Sequence, residues 1–260
     1  MNSLKDMAEK LVNSNDEFVM SDEFTELCAR YIAGGGDINI KNLNNETILM
    51  KAVKFATGAA VRLIIDAGVD IDAKDLKGNS ALMLLSDIPA DLAVYMRLLI
   101  DAGANIDAKN NQGETALMLA SANGNRNAVV ELIKAEADVN ARDDKGKTVL
   151  EHAFSGQQKR VIKALIKAGA DVNATNNQGE TVLLRGPWWE WWEWWDDAVK
   201  VFIKAGADVN AKNKDGKTAF DLANEGGYEK IADVLWAKMH GHVVKRKCAL
   251  VEIAQDEYSF

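Results

Sequence analysis

Two stretches of this 260-residue chain, Ala141 to Thr148 and Ala211 to Thr218, have the outline of a phosphate-binding loop, each closing on Gly-Lys-Thr. In such loops backbone amides and a lysine cradle phosphate oxygens. Neither stretch carries the first glycine of the pattern. Asp143, Asp144 and Asp215 would also place carboxylates where a phosphate must sit. The imidazoles are His152, His240 and His242, and the pair His240-Gly-His242 has no accompanying cysteine or acidic spacing that would complete a zinc site. No serine or cysteine stands in a motif that activates a nucleophile. The many aspartates and glutamates fall on turn tips, where they read as solvated ends rather than as an acid and base pair. The residues therefore point to a protein that is not an enzyme and that needs neither metal nor cofactor.

Composition narrows the partners. Apolar residues make up 48% and charged residues 27%, and the net charge is -8, so there is no surplus of Lys and Arg to neutralise phosphates. Nucleic acid and anionic membrane are poor partners on that ground. No stretch is long and apolar enough for stable membrane insertion, and the first residues lack the apolar run of a secretory signal. Cys28 and Cys248 stand near opposite ends, which is no disulfide framework and suits a reducing compartment. The expectation is a cytoplasmic protein.

The elements that would carry any function come from a phrase that returns about every 33 residues. Its copies read AGVDIDAKDLKGNSALMLL, AGANIDAKNNQGETALMLA, AEADVNARDDKGKTVLEHA, AGADVNATNNQGETVLLRG and AGADVNAKNKDGKTAFDLA, after a degenerate first copy, GGGDINIKNLNNETILMKA. A glycine after an apolar run, as at Gly103, is a left-handed helix stop. The polar stretch beyond it makes a hairpin-like turn whose own glycine, as at Gly113, supplies a positive φ. Thr47, Ser80, Thr115, Thr148, Thr181 and Thr218 then read as N-caps of the first of two short helices. One such unit cannot cover its apolar face alone, so neighbours must stack.

This pattern resembles the ankyrin repeat, with Gly-x-Thr before the first helix and Ala-Gly-Ala-Asp-Val-Asn-Ala after the second. The resemblance implies an all-α solenoid of about six repeats with short β-turn hairpin loops, spanning residues 37 to 240. The family's Thr-Pro-Leu-His is here Thr-Ala-Leu-Met or a relative, and Met50, Met83 and Met118 stand at the histidine position, which predicts apolar packing there. Residues 1 to 36 hold two amphipathic stretches, Leu4 to Val12 and Phe24 to Ile32, that read as a helical N-terminal cap. Residues 219 to 239 read as the last helix pair, and residues 241 to 260 as a tail or covering helix from about Val243 to Gln255.

Departures from the pattern carry their own expectations. Glu136 stands where other copies have the helix-stop glycine, and Asn45 where they have the turn glycine, so both are expected at positive φ. Ser86 to Pro89 reads as a lengthened turn between the helices of the second copy, with Pro89 at the start of the next helix. The fifth copy reads Arg185-Gly186-Pro187 and then Trp188, Trp189, Glu190, Trp191, Trp192, Glu193, Trp194 and Trp195. Pro187 should stop or kink the first helix near Gly186. A new helix can start there and run into the second helix of the copy. On it the six indoles would cover an arc of roughly 220°, with both glutamates in the remainder. They carry on the order of 1,000 Å² of apolar area. Three readings stay open for them: an interface, filling of the space left by the shortened helix, and an expansion of the Trp-Trp-Glu unit without a task.

By this family resemblance, partners are held on the concave face of turn tips and first helices. That reading makes the chain a non-catalytic scaffold for another protein, with Asn111, Asp144 and Asn177 on the tips as candidate contacts. Leu43 and Leu76 are apolar residues on adjacent tips among polar siblings, and they are either contacts or locally packed. The Trp segment is a possible further surface. Small-molecule or lipid binding, or weak self-association of an otherwise monomeric chain, are the alternatives it leaves.

Overall fold

The same offsets in the first five copies carry the apolar residues that disappear from solvent. Leu49, Leu82, Leu117, Leu150 and Leu183, two residues after Thr47, Ser80, Thr115, Thr148 and Thr181, are all at most 2% exposed. The second helices contribute a matching pair from each unit, as with Val61 and Ile64, Val129 and Leu132, or Ile162 and Leu165. Residues four or three apart lie on one helix face, so each short helix has one buried stripe. Stacking the units joins these stripes into one continuous core.

The computed structural model describes residues 3–13, 22–55, 58–88, 93–185 and 192–240. Among them are thirteen helices and no strands, only isolated antiparallel bridges such as Arg142 to Thr148. The first two helices are α1 (Leu4–Val12) and α2 (Asp22–Ala33). The repeats follow as α3 (Ile48–Phe55) and α4 (Gly58–Asp66), α5 (Ala81–Asp87) and α6 (Ala93–Asp101), α7 (Ala116–Ala122) and α8 (Arg126–Lys134), and α9 (Val149–Ser155) and α10 (Lys159–Lys167). The fifth repeat supplies α11 (Trp192–Lys204), and the sixth α12 (Ala219–Glu225) and α13 (Glu229–His240). First helices α3, α5, α7 and α9 stack in an inner row beside the turn tips, and α4, α6, α8 and α10 in an outer row. The result is an all-α solenoid.

The two helices before the first repeat fall where the amphipathic stretches lie. Ser3 and Asp6 close a capping box at the start of α1, and α1 packs on both α2 and α3. The last helix pair forms as read. Residues 241–260, with the tail helix expected there, lie outside the described residues.

Ser80, Thr115, Thr148 and Thr218 cap their helices by accepting from the amide three residues on, and Thr47 accepts from that of Met50 at 3.3 Å. Thr181 does not cap a helix. Residues 182–185 form only a turn, and the buried Thr181 hydroxyl makes no hydrogen bond among the described residues. A helix continuing through this point would bring the Pro187 ring against the carbonyl of Leu183, which is why one turn is all that forms. Val182, Leu183 and Leu184 stay buried regardless. In compensation α11 has 13 residues against nine in α4, α6, α8 and α10, so Trp192 runs without a break into the second helix. The expected turn at Ser86 is shorter than the sequence implies: Ser86 and Asp87 belong to α5, with the Ser86 hydroxyl donating to the Leu82 carbonyl at 2.9 Å. Pro89 lies outside the described residues.

Glu136 and Asn45 both take positive φ, 64° and 58°. Gln157 does the same at 60° in the turn between α9 and α10, where the third and sixth repeats have Gly124 and Gly227. A β-carbon in the left-handed region costs roughly 1–2 kcal/mol. Glu136→Gly should therefore stabilise the chain by about 1 kcal/mol, a rise in melting temperature of about 2 °C. A lower melting temperature would show that the exposed Glu136 side chain stabilises more than its backbone strains.

Candidate partner-binding surface

Each turn tip is built around one short side chain. The Oδ1 atoms of Asn42, Asp75, Asn110, Asp143, Asn176 and Asn213 accept from the amides two and four residues on, at 2.8–3.0 Å. Asn and Asp do this because their acceptor reaches back over their own backbone. The same bonds occupy the amides of Lys145, Lys147, Asp215 and Lys217 in the two phosphate-loop lookalikes, which are ordinary tips.

A second set of Asx side chains ties neighbours together. Asn39, Asp72, Asp107, Asn140 and Asn173 each accept from a backbone amide of the next repeat at 2.7–3.0 Å. The tips themselves form a ladder, with the amides of Leu76, Asn111, Asp144 and Asn177 donating to the carbonyls of Asn44, Lys77, Gln112 and Lys145. Asn111 and Asn177 add a rung each through their side-chain amides, to Leu76 at 2.9 Å and Asp144 at 3.2 Å. Asn111, Asp144 and Asn177 thus sit exposed on the row of turn tips, and their backbones hold the array in register.

The ladder stops at the fifth tip. A β-carbon on Gly113 would meet the Asp144 amide nitrogen at 2.6 Å, whereas one on Gly179, at nearly the same φ, would meet nothing within 4 Å. Among the described residues no backbone bond joins that tip to the sixth. The junction after the truncated helix is held by the Asn173 bonds to Asp208 and Gly206 and by helix packing.

Leu43 is 97% exposed and Leu76 59% exposed, on consecutive tips. At that exposure Leu43 has no packing role. Between the second and third repeats the tips and inner helices enclose a groove of about 360 Å³, lined among others by Asn79, Met83, Asp87, Gln112 and Glu114. Met50, Met83 and Met118 are at most 1% exposed, as the apolar reading requires.

Behind the rim lie buried charges that the repeat pattern hides. Burial alone would raise the Glu46 carboxyl, but hydrogen bonds from Lys54 and Asn42 and the charges of Lys54 and Lys51 bring it down to about 2. In the fourth repeat Glu151 and His152, 2% and 6% exposed, stand where the third has Met118 and Leu119. Burial pushes Glu151 up, although its Oε2 accepts from the Thr148 amide at 2.9 Å. Its Oε1 makes no hydrogen bond, and the Arg185 guanidinium is 3.8 Å away. Burial also pushes His152 down, helped by the charge of Lys147 and opposed by Asp143, whose Oδ2 lies 3.0 Å from its Nε2. The signal in the sequence was two ionisable residues, Glu151 and His152, inside an apolar phrase.

His152 gives this region a pH dependence whose sign is fixed. Its folded-state value lies below the ordinary 6.5, so the unfolded chain takes the proton first. Stability is fully present above about pH 6.5 and is lost as pH falls below it, by no more than about 1.4 kcal/mol per pH unit for one proton. The raised Glu151 works in the opposite direction at lower pH. Urea midpoints at pH 7.5 and 5.5 should differ for the wild type and converge in His152→Gln. An equal pH slope in the two proteins would remove His152 from the account.

Trp192, Trp194 and Trp195 lie on α11 by backbone, but their side chains, like all of Trp188, Trp189 and Trp191, fall outside the described residues. His240 is exposed at the end of α13, its ring stacked 3.6 Å from Trp236, and His242 lies outside the described residues. No group of three or more His, Cys, Asp or Glu among the described residues is placed to hold a metal, and no described helix is long and apolar enough to cross a membrane.

Comparison with known proteins agrees with this geometry. Residues 92–176 match the family model of ankyrin repeats in three copies. A solved structure titled as the ankyrin repeat domain of Bcl-3, a unique member of the IkappaB protein family, matches with a TM-score of 0.70 and 26% sequence identity. That match covers 88% of this chain and 96% of the other. Among curated protein sequences, none matches.

Proposed function

This chain is an ankyrin-repeat protein, and we propose that it is a non-catalytic scaffold that holds a partner protein on its concave face, with Leu43 and Leu76 as apolar anchors. Domains of this kind are in general protein interaction scaffolds. The observation that carries the finer reading is Leu43, a leucine 97% exposed on a tip whose backbone is fixed by Asn42 and by the bond to the next tip. A rigidly presented apolar side chain contributes to binding at little entropic cost. With Leu76 on the next tip, it sits at the end of a rim whose remaining tips are polar, the arrangement of apolar anchors beside hydrogen-bonding groups. The Trp segment of the fifth repeat, Trp188 to Trp195, is retained as an accessory contact surface on its residue type alone.

The test is capture from the native source by the immobilised chain, wild type against Leu43→Ser/Leu76→Ser. Both side chains are solvent-facing, so the variant should unfold with an unchanged midpoint while losing the proteins that the wild type retains. An identical captured set would remove these leucines and the rim they mark from the proposal. A parallel chain with Trp188, Trp189 and Trp191 replaced by serine separates the contribution of the Trp segment.

A further inference from the structure

The net charge of -8 conceals an uneven distribution. Helix α10, Lys159-Arg-Val-Ile-Lys-Ala-Leu-Ile-Lys167, carries four cations and no carboxylate. Lys159, Lys163 and Lys167 follow one another at i, i+4 spacing, which places like charges side by side on the helix and works against its folding. Opposite them, α8 contributes Arg126 and Lys134. Between the two helices runs a groove of about 770 Å³ whose floor is Val130, Ile133, Ala164 and Ala168, and no carboxylate lines it.

The nearby acids are engaged elsewhere. Glu131 turns to the far side of α8, where Arg97 lies 3.0 Å and Lys134 2.9 Å from its oxygens. Asp197 on α11 takes Lys159. Arg126, Arg160, Lys163 and Lys167 are left without an ion pair among the described residues, and all four are exposed. The stripe continues past Lys163 into the next groove, where Lys200 and Lys204 extend it.

We infer that the outer groove between α8 and α10 is a second docking site, distinct from the concave face, and that its occupant is an acidic amphipathic helix of a partner protein. Charge complementarity selects the acidic face, because Arg126 on one wall and Arg160, Lys163 and Lys167 on the other form no ion pair with a carboxylate among the described residues. The apolar floor between two parallel helices selects a helix, which can lay an apolar ridge into the gap. A lipid surface would meet the crests of the helices and leave that floor uncovered. Nucleic acid would find neither aromatic rings nor amide side chains lining this groove.

The probe is a fluorescein-labelled helical peptide with leucine along one face and glutamate along the other, followed by anisotropy with the full chain. Binding should weaken steeply as salt rises, and Arg160→Glu/Lys163→Glu should weaken it about tenfold or more. Arg160→Gln/Lys163→Gln should give a smaller loss, and Lys214→Glu/Lys238→Glu, a reversal of exposed charges elsewhere, none. Unfolding midpoints establish that each variant is folded. Equal binding of the same peptide with lysine in place of glutamate, or unchanged binding to Arg160→Glu/Lys163→Glu, would overturn the inference. So would phosphatidylserine vesicles that bind where the peptide does not, or salt-sensitive self-association in sedimentation that the same variant abolishes. Leu43→Ser/Leu76→Ser should leave peptide binding intact, which keeps failure here separate from failure of the concave-face proposal.

Discussion

Gly156→Ala should destabilise the chain by about 3 kcal/mol. Gly156 ends α9 with an unremarkable φ of -82°, so no backbone conformation demands glycine. Space does. A β-carbon there would lie 2.0 Å from the carbonyl oxygen of Ala122 and 2.9 Å from its carbon, both backbone atoms at the end of α7. The inner helices of the third and fourth repeats approach backbone to backbone at this point, and relief requires one of them to shift against a packed core. Gly226 is the matched control. It ends α12 at nearly the same φ, but an added β-carbon meets mainly the Tyr228 ring, a side chain that can move. Urea denaturation of the two variants should show a large drop for Gly156→Ala and a small one for Gly226→Ala. Similar drops in both would mean that the approach of α9 to α7 is wrong.

Phe202→Ala should cost about 3–5 kcal/mol, the usual range for emptying a buried aromatic site. Phe202 is fully buried on α11 and meets Phe154 of the fourth repeat edge to face, with ring centroids 6.1 Å apart. The fifth repeat lacks an inner helix, so this ring helps join the fourth repeat to the end of the array. Stability in a stacked solenoid is close to a sum of neighbour contacts. The loss should therefore be local: α11 to α13 should lose hydrogen-exchange protection well before α3 to α10. The missing tip bond at Gly179 places the same junction at the weak end. Uniform loss of protection along the array would contradict this division, and Phe202→Leu should recover most of the stability because it keeps most of the volume.

The pattern of each repeat was legible because its causes are local. A capping hydroxyl, a turn glycine and an apolar residue at helical spacing act over a few residues, so Thr115, Gly113 and Leu117 can be read without their neighbours. Where a copy lacks its glycine the local reasoning still worked, as the positive φ of Glu136 and Asn45 shows. Gln157 escaped because the turn between the helices varies in wording from copy to copy. Thr181 was misread for a related reason: the capping motif is intact, but Pro187, six residues on, denies it a helix to cap.

The candidate surfaces divide along the same line. The exposure of Leu43 and Leu76 follows from their places on tips, which the repeat register already fixes. The contact of Asp143 with His152, the orphaned oxygen of Glu151 and the cationic groove between α8 and α10 join residues from 9 to 41 positions apart or from different repeats. Sequence alone determined the unit and its register, because these depend on interactions within one turn of helix or hairpin, and it implied stacking because one unit cannot cover its own apolar face. The tertiary structure decided which charges face one another and which are left unpaired. Those outcomes depend on distances across the stack, and the net charge of -8, summed over the whole chain, cannot express them.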